Sequence, residues 1–168
     1  MALQVAVCGP GECTERQWDH AYETGRILAG RGAVVVCGGH GGVMAAAAAG
    51  ARTAGGAVVG ILPAADRAAA GRDLTVIVPT GLGQARNNVI VNAADAVIAV
   101  GGSCGTLSEI ALAMRAGRVP VVQLGGWRVL DEDGRPVGGV VHAQDPAAAV
   151  DATGLWHRPR GPAPGGGG

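Results

Sequence analysis

The chain has 168 residues with 13 basic and 13 acidic side chains, so its formal net charge is zero, and every basic residue is arginine. That length fits one domain with a sizeable core. The charge balance predicts no nucleic-acid partner, which would need clustered basic surface; the absence of lysine excludes a Walker-type phosphate loop, a Schiff-base lysine and pyridoxal-phosphate chemistry.

The opening "MALQVAVCGPGEC" has no basic leader and runs straight into a strand-like stretch, so no export signal is expected. No apolar run reaches the roughly 18 residues of a membrane helix. A cytoplasmic protein without a membrane partner is the expectation. Phe is missing as well as Lys, while Ala, Gly and Arg abound, a pattern of GC-rich coding. The four cysteines lack CxxC spacing and predict free thiols, with no metal site.

In chain order, residues 3–9 ("LQVAVCG") read as a strand, and 14–32 as an amphipathic helix. Thr14 and Gln17 have capping-box spacing at its start, and Gly30 and Gly32 flank its end. A second strand covers 33–39, a helix of small side chains 42–56 and a third strand 57–62. A fourth strand covers 74–80, a helix 83–95, a fifth strand 96–102, a helix 106–117 and a sixth strand 119–126. The stretch "DEDGRPVG" is a polar turn suited to a hairpin, and 145–156 a last short helix. Residues 1–157 form the expected domain, and 158–168 ("RPRGPAPGGGG") a disordered tail. Continuously apolar strands separated by helices predict an α/β fold: a single doubly wound, Rossmann-like parallel sheet covered on both faces, with strand order 3-2-1-4-5-6. The helix "VMAAAAAGARTA" carries almost no bulky side chain, and its alanine face predicts a homodimer packed helix to helix.

In such sheets, ligands bind beyond the carboxyl ends of the strands. Four turns there are glycine-rich: 8–13, 37–44, 79–86 and 101–106. Glycine lets backbone approach a ligand, and helix N-terminal amides attract anions. Tight βα turns alone would explain one such loop. Four at one edge point to a small phosphorylated, nucleotide-like ligand. The pattern is not the dinucleotide fingerprint, so NAD is not expected.

Two blocks resemble the Lonely Guy (LOG) proteins. "GGHGGVMAAAAAGA" (38–51) is similar to their "GGxxGLM" turn, and "GQARNNVIVNAADAVIAVGGSCGTLSEI" (83–110) to their Arg-containing helix, strand and "PGGxGTxxE" block. The resemblance spans most of residues 3–125. It implies a nucleoside 5′-monophosphate phosphoribohydrolase, releasing base and ribose 5-phosphate, and not a lysine decarboxylase, the label often given to this family. It also implies a dimer. Arg86 and Glu109 fall on the family's catalytic Arg and Glu. The ligand- and phosphate-binding positions are Gly38, Gly39, His40, Gly41, Gly42, Met44 and Asn87, with Gly101, Gly102, Ser103, Gly105 and Thr106. No cofactor is required. Departures include Asn87 for Lys, Gly101 for Pro, Ser103 for Gly, Cys37 for Gly and Ala45 for Gly. They resemble the branch that includes molybdenum-cofactor carrier proteins, so the alternative is a non-catalytic carrier with that phosphorylated pterin as cargo, or a nucleotide-sensing module.

Individual residues have plainer readings beside these. Thr106-Leu107-Ser108-Glu109 has capping-box spacing, so Glu109 is either a helix cap or a carboxylate for an oxocarbenium-like charge. Arg86 is either a solvated charge or a fork for phosphate. Cys8, Cys37 and Cys104 converge on one edge but read first as small buried hydrophobes. Asp95 ends a helix, and Trp18, Trp127 and Trp156 are assigned to packing.

Overall fold

The computed structural model describes residues 1–157; the expected tail, 158–168, lies outside the described residues. The apolar runs form seven strands: β1 Gln4–Cys8, β2 Val34–Cys37, β3 Val58–Leu62, β4 Val76–Pro79, β5 Ala96–Val100, β6 Val121–Leu124 and β7 Val140–Ala143. The helices are α1 Glu15–Gly30, α2 Val43–Thr53, α3 Asn87–Asn92, α4 Cys104–Ala116 and α5 Pro146–Ala152, with a short 3-10 turn Gly83–Arg86 leading into α3.

All strands join one parallel sheet of order β4-β3-β2-β1-β5-β6-β7. This corrects the expected order, which placed residues 74–80 beside β1. β5 takes that place, pairing Val5 with Ala96 and Cys8 with Ala99. Its "AVIAV" is buried at every residue, as a strand covered on both faces requires. β4 alternates exposed and half-buried residues and ends in proline, features suited to an edge. β7, on the other edge, has no counterpart among the expected strands. Before it, Val137 N–H donates to Val129 and Asp131 N–H to Arg135, making the hairpin expected at "DEDGRPVG".

Alternation along the strands splits the core in two. Val5, Val7, Val35, Ile98 and Val122 pack under α1, α2 and α5. Ala6, Cys8, Val36, Val97 and Ala99 pack under α3 and α4. The small side chains of α2 face α1: a Cβ on Gly50 would stand 1.9 Å from the Tyr22 carbonyl oxygen, and one on Gly25 would stand 2.0 Å from that of Ala47. The physical reason for the alanine-rich helix is therefore contact inside the chain, and the expectation that its face meets a twin is corrected on that point. No described helix is long and apolar enough to cross a membrane.

Two caps differ in kind. Thr14 and Gln17 make the expected reciprocal box at α1. At α4 the expected box does not form. The helix opens two residues earlier, at Cys104, with Ser103 as its cap accepting from Thr106 N–H. Glu109 then falls in the second turn, on the buried face. Asp95 ties the sheet instead of only ending a helix, its carboxylate accepting from Gln4 N–H at 2.8 Å.

Candidate functional site

Strand order reverses between β1 and β5, so the loops after them diverge and leave a crevice, the usual ligand position in open α/β sheets. The loops after β1, β2 and β5 meet there. Gly42, with φ of +60°, lets Val43 N–H reach the Pro10 carbonyl at 3.1 Å. A Cβ on Gly42 would stand 2.3 Å from that oxygen. Gly42 therefore locks loop to loop. Gly41 approaches Gly11, and Gly39 faces Leu62 and Leu74. Gly101 lies against Gln17, and Gly102 against Trp127.

Gly38 has a different neighbour. A Cβ there would come within 2.6 and 2.7 Å of the two terminal nitrogens of Arg86 and 2.7 Å of Met44 sulfur. With no side chain of its own, Gly38 thus lets its backbone lie directly against the Arg86 guanidinium, with Met44 beside it. Arg86 is 6 % exposed, and its Nε has no hydrogen-bond partner among the described residues. A buried donor of this kind needs an explanation, since nearly all find partners. The 3-10 turn carries Arg86 to Gly38, just past the end of β2, and its Nη1 stands 3.6 Å from Glu109 Oε1.

Glu109 is equally buried. Burial pushes its carboxyl up to about 7, against the opposing pull of Arg86 and of the Cys8 thiol beside it. Burial and the Glu109 carboxylate also push the Cys8 thiol well up, so Cys8 is a neutral donor and not a thiolate. Sequence reasoning assigned Cys8 to packing. The signal that could have placed it here is its position as last residue of β1, on the face toward α4.

The remaining expected residues divide. Thr106 is buried, its hydroxyl 2.9 Å from that of Ser103, which fixes the α4 turn. Asn87 is buried too, but its amide donates to Ser108 Oγ at 2.8 Å and ties α3 to α4. Gly105 faces open space apart from Ser103. Met44 closes the floor by Gly38, while His40 and Met44 also border a cavity of about 490 Å³ with Trp18 and Leu74. The cysteines are free, Cys8 and Cys37 buried and Cys104 exposed. Trp18 and Trp127 are 40 % and 48 % exposed, so the packing role expected of them is corrected. Each borders a cavity.

The SLOG cluster4 family profile matches residues 2–150. An uncharacterized protein of Archaeoglobus fulgidus is 42 % identical over 139 residues, covering 77 % of this chain and 88 % of that one. The molybdenum cofactor binding protein of Rippkaea orientalis superimposes with a TM-score of 0.80 at 34 % identity, over 90 % of this chain and 94 % of that one. The molybdenum cofactor carrier protein of Chlamydomonas reinhardtii does so with a TM-score of 0.79 at 32 % identity, over 94 % of this chain and 100 % of that one. The chain carrying this Arg86–Glu109 pair belongs to the SLOG cluster4 family.

Proposed function

We propose that the protein binds a phosphorylated pterin, with the molybdenum cofactor as cargo, at the carboxyl edge of the sheet and holds it intact. The observation that carries this reading is Arg86, buried under the bare backbone of Gly38 with Nε unpartnered. An unsatisfied buried donor costs about 1–3 kcal/mol, and an incoming oxyanion removes that cost. Arginine is suited to the task because its fork matches phosphate geometry. The loops of Gly38–Gly42 and Gly101–Ser103 lead into α2 and α4, whose first amides favour an anion. The likeness to molybdenum cofactor binding and carrier proteins over nine-tenths of the chain supports the pterin.

Hydrolysis of a nucleoside 5′-monophosphate has one observation of its own. A carboxyl held at about 7 exists in both protonation states near neutrality, which suits general acid–base catalysis. Water would add to the sugar carbon as the glycosidic C–N bond breaks, and the base would leave with the proton. The two functions separate in one experiment. Protein purified anaerobically is denatured, and the released small molecules are read by mass spectrometry, while a second portion is incubated with AMP and assayed for ribose 5-phosphate. The carrier reading expects a phosphorylated pterin and no ribose 5-phosphate. Ribose 5-phosphate formed catalytically, without retained pterin, replaces it by the hydrolase.

A cytoplasmic homodimer completes the proposal, on the family resemblance rather than on α2. Light scattering that gives the mass of a single chain at micromolar concentration removes the dimer.

A further inference from the structure

A cavity of about 350 Å³ lies at the carboxyl edge beyond β6, between the start of α1, the loop 125–128 and the end of β7 with Gln144 after it. Arg16, His20, Arg128 and His142 line it, with Thr14, Gln17 and Gln144 as further polar groups, and no carboxylate among the described residues does. In a chain of zero net charge, two arginines around one hollow are a local excess of positive charge, and two histidines add ring nitrogens beside them. Neither Arg16 nor Arg128 has an ion-pair partner among the described residues. Glu15 and Asp19 share α1 with Arg16 and His20 but do not line the hollow. A cleft bounded by one sign of charge focuses the field and concentrates counter-ions.

The loop that carries Arg128 is held in place by backbone. Gly125 and Gly126 have φ of +69° and +87°. A Cβ on Gly126 would stand 2.1 Å from the Gly101 carbonyl oxygen. The loop after β6 is thus pressed onto the loop after β5. This brings Arg128, from one loop, to the same hollow as Arg16, from the first turn of α1. Arg86 and Glu109 do not line it.

We infer that this hollow is a second anion site, separate from Arg86, that takes a diphosphate group. Two guanidinium forks and two imidazoles offer donors on several sides, more than one monoanion needs. The group can come as free pyrophosphate or as the diphosphate of an ester, whose organic part would lie outside the hollow.

The test is calorimetric titration of the full chain with inorganic pyrophosphate, and with ADP in a parallel series, at constant ionic strength. Arg16→Gln/Arg128→Gln is compared with Arg67→Gln/Arg115→Gln, which removes the same charge elsewhere on the exposed surface. All four side chains are exposed, so both variants should fold. The expected result is saturable pyrophosphate binding by the wild type, weakened at least tenfold in the first variant and less than twofold in the second. ADP binding that is weakened in parallel places an ester's diphosphate in the same hollow; ADP binding indifferent to the first variant leaves free pyrophosphate as the source. Absence of pyrophosphate binding to wild type at millimolar concentration, or equal loss in both variants, overturns the inference. Pterin retention is read separately, so failure here leaves the carrier reading standing, and the reverse also holds.

Discussion

Arg86 Nη1 stands 3.6 Å from Glu109 Oε1, with both side chains only 8 % exposed. That is an ion pair but longer than a charge-assisted hydrogen bond, which closes to about 2.7–2.9 Å. The pair is therefore loosely closed, under glycine backbone, with Arg86 Nε unpartnered. The attraction of Arg86 is too weak to cancel the burial of Glu109, whose carboxyl is left at about 7.

That position sets a pH signature. The folded carboxyl lies above its ordinary value of 4.5, so the native state binds the proton more tightly than the unfolded chain. The stabilisation is complete below about 4.5 and is lost as pH rises through about 7. Compared with Glu109→Gln, wild type should lose on the order of 2–3 kcal/mol of stability between about pH 5 and about pH 8. Thermal melts of both proteins across that range check it. A difference that does not change with pH would mean an ordinary carboxyl.

Removing one partner should hurt more than removing both. Arg86→Met leaves a buried carboxylate without its cation, a loss of about 3–5 kcal/mol when the partner stays charged, and less at low pH where Glu109 takes a proton. Arg86→Met/Glu109→Gln should be more stable at pH 8 than Arg86→Met alone. Denaturant melts of the four proteins give the coupling directly; strict additivity would show that the two groups do not interact.

Gly38→Ala tests the cover over Arg86. The new methyl meets both terminal guanidinium nitrogens and Met44 sulfur inside 3 Å. A loss of about 1–3 kcal/mol is expected from overpacking, together with at least tenfold weaker ligand binding. Gly30→Ala is the control, because Gly30 ends α1 away from the crevice and a Cβ there meets nothing within 4 Å, and it should bind normally.

Ser103→Ala tests where α4 begins. Ser103 caps the helix by accepting from Thr106 N–H, so its loss should cost about 1 kcal/mol. Glu109→Gln at low pH should have no capping effect, since Glu109 is not in the first turn. Equal stability of Ser103→Ala and wild type in denaturant titration would return the cap to Thr106.

Much of this was legible in the residues. The apolar runs marked six of the seven strands, and Thr14 with Gln17 marked a cap that forms as spelled. The spacing from Arg86 to Glu109 told that they belong together only through the family resemblance, because their contact crosses from the 3-10 turn to α4. The start of α4, expected at Thr106, lies two residues earlier because "TLSE" fits a box as well as the turn "SCGT" fits a serine cap. Local spacing does not choose between them, whereas burial of the Glu109 face does. Strand order needed tertiary information: whether 74–80 or 96–102 lies beside β1 depends on two-sided burial. The hollow lined by Arg16, His20, Arg128 and His142 draws on segments over a hundred residues apart, so no local pattern announces it.

The central claim is that the edge around Arg86 binds a phosphorylated pterin without breaking it down. Anaerobic equilibrium dialysis of molybdopterin against wild type and Gly38→Ala, followed by analysis of the recovered pterin, measures this most directly. One pterin per wild-type chain, recovered unchanged, is expected, with at least tenfold weaker binding to Gly38→Ala. No saturable binding to wild type, or equal binding to both proteins, would contradict it.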